Sequence, residues 1–249
     1  MRLGAANAVV SVVIPCLDEE TTIAAVVREV LEQGADEVIV VDNGSNDATA
    51  RRAHAAGARV IHEPQRGYGR ACVAGLRALR PDADVVSFLD GDGSDVPCFL
   101  PAVVAPVVGD QADFVMGSRL RGHRERGSMT PQQIVAGWFS GILLWLAYGV
   151  RFTDMSPFRA IRPDELRRLG MREATYGWNL EMQMRAAAAR LRIHEIAVDH
   201  RRRRGGRSKV SGNLAAGLKA PWVIALTFVR LILLLRYSNT RRHNGALPD

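Results

Sequence analysis

The sequence predicts an α/β protein built on a mostly parallel, doubly wound sheet. Three observations carry that expectation. Apolar runs at 9–14, 37–41 and 85–89 are continuous rather than alternating, the pattern of strands buried on both faces. Helical patterns separate the strands, so strand and helix alternate four times before residue 90. Three strands end in polar, acid-bearing loops, and successive parallel strands deliver such loops to one edge of the sheet, where open α/β sheets bind ligands.

The first strand, 9–14, is β-rich and leads into the loop Pro15-Cys16-Leu17-Asp18-Glu19-Glu20. Thr21 or Thr22 caps a helix over 23–33, with Ile23, Val26, Val27, Val30 and Leu31 at helical spacing and Gly34 as its stop. The strand at 37–41 ends in Asp42-Asn43-Gly44-Ser45-Asn46-Asp47. A helix over 48–56 is stopped by Gly57, and a third strand covers 59–62. Gly67-Tyr68-Gly69-Arg70 opens a helix over 71–79.

The strand at 85–89 ends abruptly in Asp90-Gly91-Asp92-Gly93-Ser94-Asp95. Carboxylates two apart on a turning backbone converge on one hard cation, and the glycines allow the bend. Asp90 and Asp92 are therefore expected to hold Mg²⁺ or Mn²⁺ that bridges the diphosphate of a nucleotide. The plain alternative is a solvated acidic turn. Three acidic loops on one sheet edge favour a site. No GxGxxG follows the first strand, which argues against a dinucleotide-dependent hydride transferase.

A further strand at 113–119 ends in Arg119, and 121–127 is a charged, glycine-flanked loop. Residues 129–150 carry no charge. The dense apolar part, 134–150, is shorter than the ~20 residues of a membrane span and reads as a buried or interfacial helix. A loop or short strand at 154–159, a helix at 164–168, a helix at 178–191 carrying Glu181 and a strand at 193–198 follow, then a basic loop at 200–209. The run at 220–235 is apolar, interrupted by Arg230, and reads as a helix lying in a membrane interface, with a core helix as the alternative. Residues 238–249 read as a disordered tail.

At 249 residues the chain can bury a sizeable core, and 47% hydrophobic with 24% charged residues is the balance of a globular protein. Cys16, Cys72 and Cys98 are scattered, without a CxxC or Cys/His cluster, so reduced thiols and no structural zinc are expected. From Arg201 onward eleven Lys/Arg face a single acid, Asp249, whereas the first 200 residues carry a net charge of −3. The C-terminal basicity suits phosphates or an anionic membrane surface. Nucleic acid is not expected as a partner: the bases are interleaved with aliphatic residues rather than stacking aromatics, and no nucleic-acid motif is present. The first apolar run is too short and too interrupted for a signal peptide, which places the active portion on the cytosolic side.

In this order and spacing the motifs resemble family 2 glycosyltransferases of the A-type fold (the nucleotide-diphospho-sugar transferase fold), and within them the polyprenyl-phosphate, dolichol-phosphate type sugar transferases. The resemblance runs over Val-Ile-Pro-x-x-x-Glu-Glu at 13–20, Val-Val-Asp-Asn-Gly-Ser-x-Asp at 40–47, Arg-Gly-x-Gly-Arg at 66–70 and Asp-Gly-Asp at 90–92. It continues through Gly-Ser-Arg at 117–119, Tyr-Gly-Trp at 176–178 with Glu181, and Arg-x-Gly-Gly-Arg-Ser-Lys-Val-Ser at 203–211. It implies a transferase domain over 1–212, with a donor half at 9–120 and an acceptor half at 121–212, and an interfacial helix at 213–237. Pro15, Asp18, Glu19 and Asp42 would line the nucleoside pocket, with Gly67 and Arg70 near the nucleotide and Asp90 and Asp92 on the metal and donor. The chain departs from the family twice: Asp18 stands where Asn is usual, and Asn43 stands where a second Asp is usual.

The reaction so implied moves mannose or glucose, with inversion, from a GDP- or UDP-hexose to a polyprenyl phosphate at the cytoplasmic face of a membrane, the protein being peripheral or monotopic. A phosphate acceptor is already ionised near pH 7 and needs cationic guides rather than a base; Arg119, Arg126, Arg202 and Lys209 are the candidates. A hydroxyl acceptor, soluble or in the cell wall, needs a carboxylate to take its proton. Glu181 is the candidate base, with Asp154 behind it.

Overall fold

The apolar runs of the first half pair side by side as strands, and the helices between them cover both faces. A computed structural model describes residues 8–205, 226 and 228–232. In chain order its strands are β1 (Val10–Cys16), β2 (Glu37–Asp42), β3 (Arg59–His62), β4 (Val85–Phe88), β5 (Phe114–Ser118), β6 (Arg159–Ile161) and β7 (Ile193–Ala197). Its helices are α1 (Ile23–Glu32), α2 (Thr49–Ala55), α3 (Tyr68–Arg77), α4 (Leu100–Val108), α5 (Pro131–Tyr148), α6 (Pro163–Leu169) and α7 (Trp178–Ala188).

The sheet runs β3-β2-β1-β4-β6-β5-β7. It is parallel except for β6, which pairs antiparallel with both β4 and β5. The α/β, mostly parallel, doubly wound fold read from the sequence is the fold observed. Alternation along β1 serves both layers. Val10, Val12, Ile14 and Cys16 join the core under α1 and α4, whereas Val13 faces the core under α3 and α7.

Two elements differ from expectation. The sequence predicts no helix between 97 and 112, yet α4 lies there. Pro97, Pro101 and Pro106 disguise it: Pro101 sits harmlessly in the first turn, and only Pro106 is internal. The ambiguous stretch 154–159 delivers β6, which separates β4 from β5 and sets Asp154 beside the carboxyl end of β5.

Helix α5 starts at a capping box, Thr130 accepting from Gln133 N while the Gln133 side chain accepts from Thr130 N, and stops at Gly149 with φ +74°. Its inner face is small for a steric reason. A Cβ on Gly141 would lie 2.1 Å from the Phe152 carbonyl oxygen. Its outer face is apolar and open, with Trp138 63% and Leu146 70% exposed beside Val135 and Trp145. Among the described residues no helix is long and apolar enough to cross a membrane.

Of the interfacial helix expected at 213–237, residues 226 and 228–232 are described, and these are helical. Phe228 and Leu231 are buried in the α3–α7 core layer, while Leu226 and Val229 are exposed. The described part therefore has one face in the core. The rest of 213–237, Lys209 and 238–249 lie outside the described residues.

Candidate active site

The loops after β1, β2 and β4 meet at one sheet edge and are laced together. Asp18 takes φ +49°, donates its N–H to Ser45 Oγ (2.9 Å) and accepts Asn46 N on Oδ1 (2.8 Å). Glu19 N donates to Thr49 Oγ1. Pro15 lies in β1 opposite Val41. Asp42 is buried, accepts Ser45 N on Oδ1 and stands 3.2 Å from His62 Nδ1 through Oδ2.

Asn43 ties this edge to the next loop. Its amide donates to the carbonyls of Glu63 and Gln65, and its Oδ1 accepts Gly67 N at 2.7 Å. A carboxylate has no donors for those carbonyls, so the departure from the family's second Asp has a local purpose. Gly67, at φ +151°, and Gly69 are glycines for space. Added Cβ atoms would lie 2.3 Å from the Ala174 oxygen and 2.0 Å from the Glu173 oxygen. The 173–176 loop is thus seated on the start of α3, and Arg70 N donates to Ala174 O (3.2 Å). The exposed Arg70 guanidinium bonds Gln65.

At the end of β4, Gly91 is required because a Cβ there would meet Cys16 Sγ at 2.4 Å. Asp90 N donates to Asp95 Oδ2, and Tyr68 Oη donates to Asp90 Oδ1 at 3.3 Å. Asp92 accepts Ser94 N on Oδ1. Burial, then the neighbouring Asp95 and Asp92, push the Asp90 carboxyl well above the usual carboxylate range. Asp95 is raised to about 6, by burial first and by Asp92 in addition. His200, paired with Asp95 in an isolated bridge, is lowered to about 4 by burial and by nearby Arg119. Asp95 Oδ1 and His200 Nδ1 stand 3.8 Å apart, both buried and neither hydrogen-bonded.

Crowded carboxylates with leftover buried donor atoms are the donor set of a hard divalent cation. Asp90, Asp92, Asp95 and His200 fit such an ion in chemistry. Among the described residues no three of these side chains already converge on one ion position. Arg203 lies against the same acids: its Nε donates to Asp92 Oδ2 (3.0 Å) and its Nη2 to Glu19 Oε1 (2.9 Å). Arg201 and Arg204 both grip Glu29 of α1.

The sequence points to Arg202 within the run of four arginines, but the structure sends Arg203 to the acids. Arg202 turns the other way, its N–H on Glu125 and its Nε on the Arg126 carbonyl. Arg126 and Arg202 therefore lie together, away from the acidic centre. Arg119 lies close enough to Asp90 and Asp95 to feel both charges, and Asp154 grips it bidentately (2.7 and 2.8 Å). Glu181 is fully buried. It accepts Arg172 N and Glu173 N, and Arg185 Nε at 2.8 Å. Its present role is to anchor the 172–176 loop. Tyr68, Tyr176 and His200 were not legible as site residues; their partners lie far away in sequence.

A profile described as "Glycosyl transferase family 2" matches residues 11–170. The chain is 36% identical over 213 residues to an uncharacterised glycosyltransferase of Mycobacterium tuberculosis, covering 85% of this chain and 94% of that one. It is 31% identical over 207 residues to undecaprenyl-phosphate mannosyltransferase of Micrococcus luteus, covering 75% and 84%. Among solved structures it is similar to glucosyl-3-phosphoglycerate synthase of M. tuberculosis, crystallised with Mn²⁺ and UDP-glucose (25% identity, TM-score 0.67, 91% of this chain and 79% of that one). The same synthase with phosphoglyceric acid gives TM-score 0.69.

Proposed function

The chain belongs to glycosyl transferase family 2, and we propose that it transfers a hexose, with inversion, from a nucleotide-sugar to the phosphate of a polyprenyl lipid. One chain of contacts carries the choice of acceptor. Arg119 feels the charge of the acids and is held by Asp154, and Asp154 packs on Gly137 of α5, the helix whose outer face is open and apolar. A fixed cation for an anionic acceptor is thus buttressed by the element best suited to lie against lipid, at the cytoplasmic membrane face. The likeness to an undecaprenyl-phosphate transferase supports this reading.

Asp90 and Asp92 would hold Mg²⁺ or Mn²⁺, with Asp95 and His200 within reach, and the Mn²⁺ found with the synthase fits that choice. Such an ion supplies Lewis acidity toward the departing diphosphate. Arg203, held between Asp92 and Glu19, would serve the phosphates as a fixed positive charge. Pro15, Asp18 and Asp42 line the nucleoside side. Arg119 guides the acceptor phosphate from one side, and Arg126 and Arg202 supply the outer basic rim.

A second reading, a soluble hydroxyl acceptor with Glu181 as base, is favoured by the likeness to the phosphoglycerate synthase. It requires Glu181 to release the 172–173 backbone. Incubation with radiolabelled UDP-glucose or GDP-mannose, Mn²⁺ and either undecaprenyl phosphate or 3-phosphoglycerate separates the two. Label in the organic phase supports the lipid acceptor; label confined to a water-soluble product transfers the assignment to the second reading.

A further inference from the structure

Tyr176 projects from the loop between α6 and α7 and is 55% exposed. Its ring lies offset on that of Tyr68, with centroids 6.2 Å apart and planes at 26°. Tyr68 in turn donates to Asp90. The two rings therefore lead outward from the acids. Burial raises the Tyr176 hydroxyl, and the nearby Asp90 charge adds to the effect while Arg203 opposes it. Tyr176 thus stands within the field of the same groups assigned to the metal and the diphosphate.

The loop that carries Tyr176 is held from several sides. Arg70 N bonds Ala174 O, and Gly67 and Gly69 leave room for the 173–174 backbone. Glu181 accepts two consecutive backbone N–H groups, those of Arg172 and Glu173. The Glu173 carboxylate accepts both Thr175 N and Thr175 Oγ1. A lone exposed aromatic needs no explanation. An exposed aromatic on a loop fixed at both ends of its turn, backed by a second ring and set beside the acids, is a preorganised surface.

We propose that the Tyr176 ring, backed by Tyr68, is the platform on which the hexose of the donor rests, its C–H face on the ring. The proposal rests on the nucleotide-sugar reading above. The sugar hangs from the outer phosphate of the donor, so it must lie beyond the acids, on the side to which the tyrosine pair extends. The negative face of an aromatic ring suits a pyranose face of polarised C–H groups. The proposed function assigns the nucleoside to the β1 and β2 loops and the phosphates to the acids after β4. Tyr176 therefore distinguishes a nucleotide-sugar from the bare nucleotide.

Calorimetric titration of the full chain in Mn²⁺ with UDP, UDP-glucose, GDP and GDP-mannose tests this. Tyr176→Ala is expected to weaken the nucleotide-sugar about tenfold while leaving the matching nucleoside diphosphate within about twofold, and Tyr176→Phe to bind both as the wild type does. Equal weakening of nucleotide and nucleotide-sugar in Tyr176→Ala, or no weakening of either, overturns the platform. A wild-type chain that binds none of the four compounds overturns the nucleotide-sugar reading itself and the platform with it. The wild-type titration alone tells that failure from the others.

Discussion

Gly69→Ala puts a helix propensity and a packing constraint in opposition, and the structure says which wins. Gly69 lies in the first turn of α3 with an ordinary backbone, so alanine there favours the helix by up to about 1 kcal/mol. Its Cβ, however, would stand 2.0 Å from the Glu173 carbonyl oxygen and 3.0 Å from two carbonyl carbons. Ordinary contact begins at 3.4 Å, so the 173–174 backbone must retreat by about 1.4 Å. Overpacking of this kind costs roughly 1–3 kcal/mol. The retreat also stretches the Arg70 N to Ala174 O bond, already 3.2 Å, past hydrogen-bond range, at about 1 kcal/mol more. The net expectation is a loss of roughly 1–3 kcal/mol, read as a lower urea midpoint with an unchanged slope. Because the same loop carries Tyr176, nucleotide-sugar affinity falls as well. A Gly69→Ala protein as stable as the wild type, or more so, would mean that the loop is not seated on α3 and would refute the reasoning.

Asp154→Ala leaves the Arg119 guanidinium buried without its partner and is expected to cost about 3–5 kcal/mol in urea denaturation, with part recovered in an Asp154→Ala/Arg119→Met double variant; a loss under about 1 kcal/mol contradicts the pair's burial. Burial pushes the Asp154 carboxyl up, but Arg119 outweighs burial and holds it below the usual carboxylate range. The unfolded chain thus takes up this proton first. The pair's contribution is complete above about pH 4 and is lost as pH falls through the lowered folded value, a loss that Asp154→Asn removes from the acid limb of the stability curve. Replacing Trp138 and Trp145 together by Ala is expected to weaken sedimentation with anionic vesicles about tenfold or more at unchanged melting temperature; unchanged sedimentation removes α5 from the membrane face.

The layers of the fold were legible because continuous β-branched runs and helical spacing are local signals. Where the sequence misled, a longer-range force decided. The prolines of α4 break the usual helical signature, yet packing of Leu100, Val103, Val104 and Val107 under the sheet retains the helix. Strand β6 is three residues long and has no pattern of its own; its neighbours β4 and β5 recruit it. The acids after β1, β2 and β4 were readable because parallel topology brings strand ends together. Arg203 was not distinguishable from its three arginine neighbours in sequence; only its contacts across the fold with Asp92 and Glu19 single it out. Glu181 reads as a base from its residue type, whereas its hydrogen bonds assign it to the loop that presents Tyr176. Asn43 reads as a departure from the family, whereas its three bonds explain why an amide stands there.

The most direct test is the rise in melting temperature that a nucleotide-sugar produces with and without Mn²⁺, in the wild type and in Asp92→Asn. Ligand at a hundredfold excess over its Kd stabilises the native state by about 2.7 kcal/mol, enough for a shift of a few degrees. The account predicts that the shift in the wild type requires Mn²⁺ and that Asp92→Asn abolishes it. An equal shift without metal, or an undiminished shift in Asp92→Asn, would contradict the claim that these carboxylates grip the activated sugar through a shared cation.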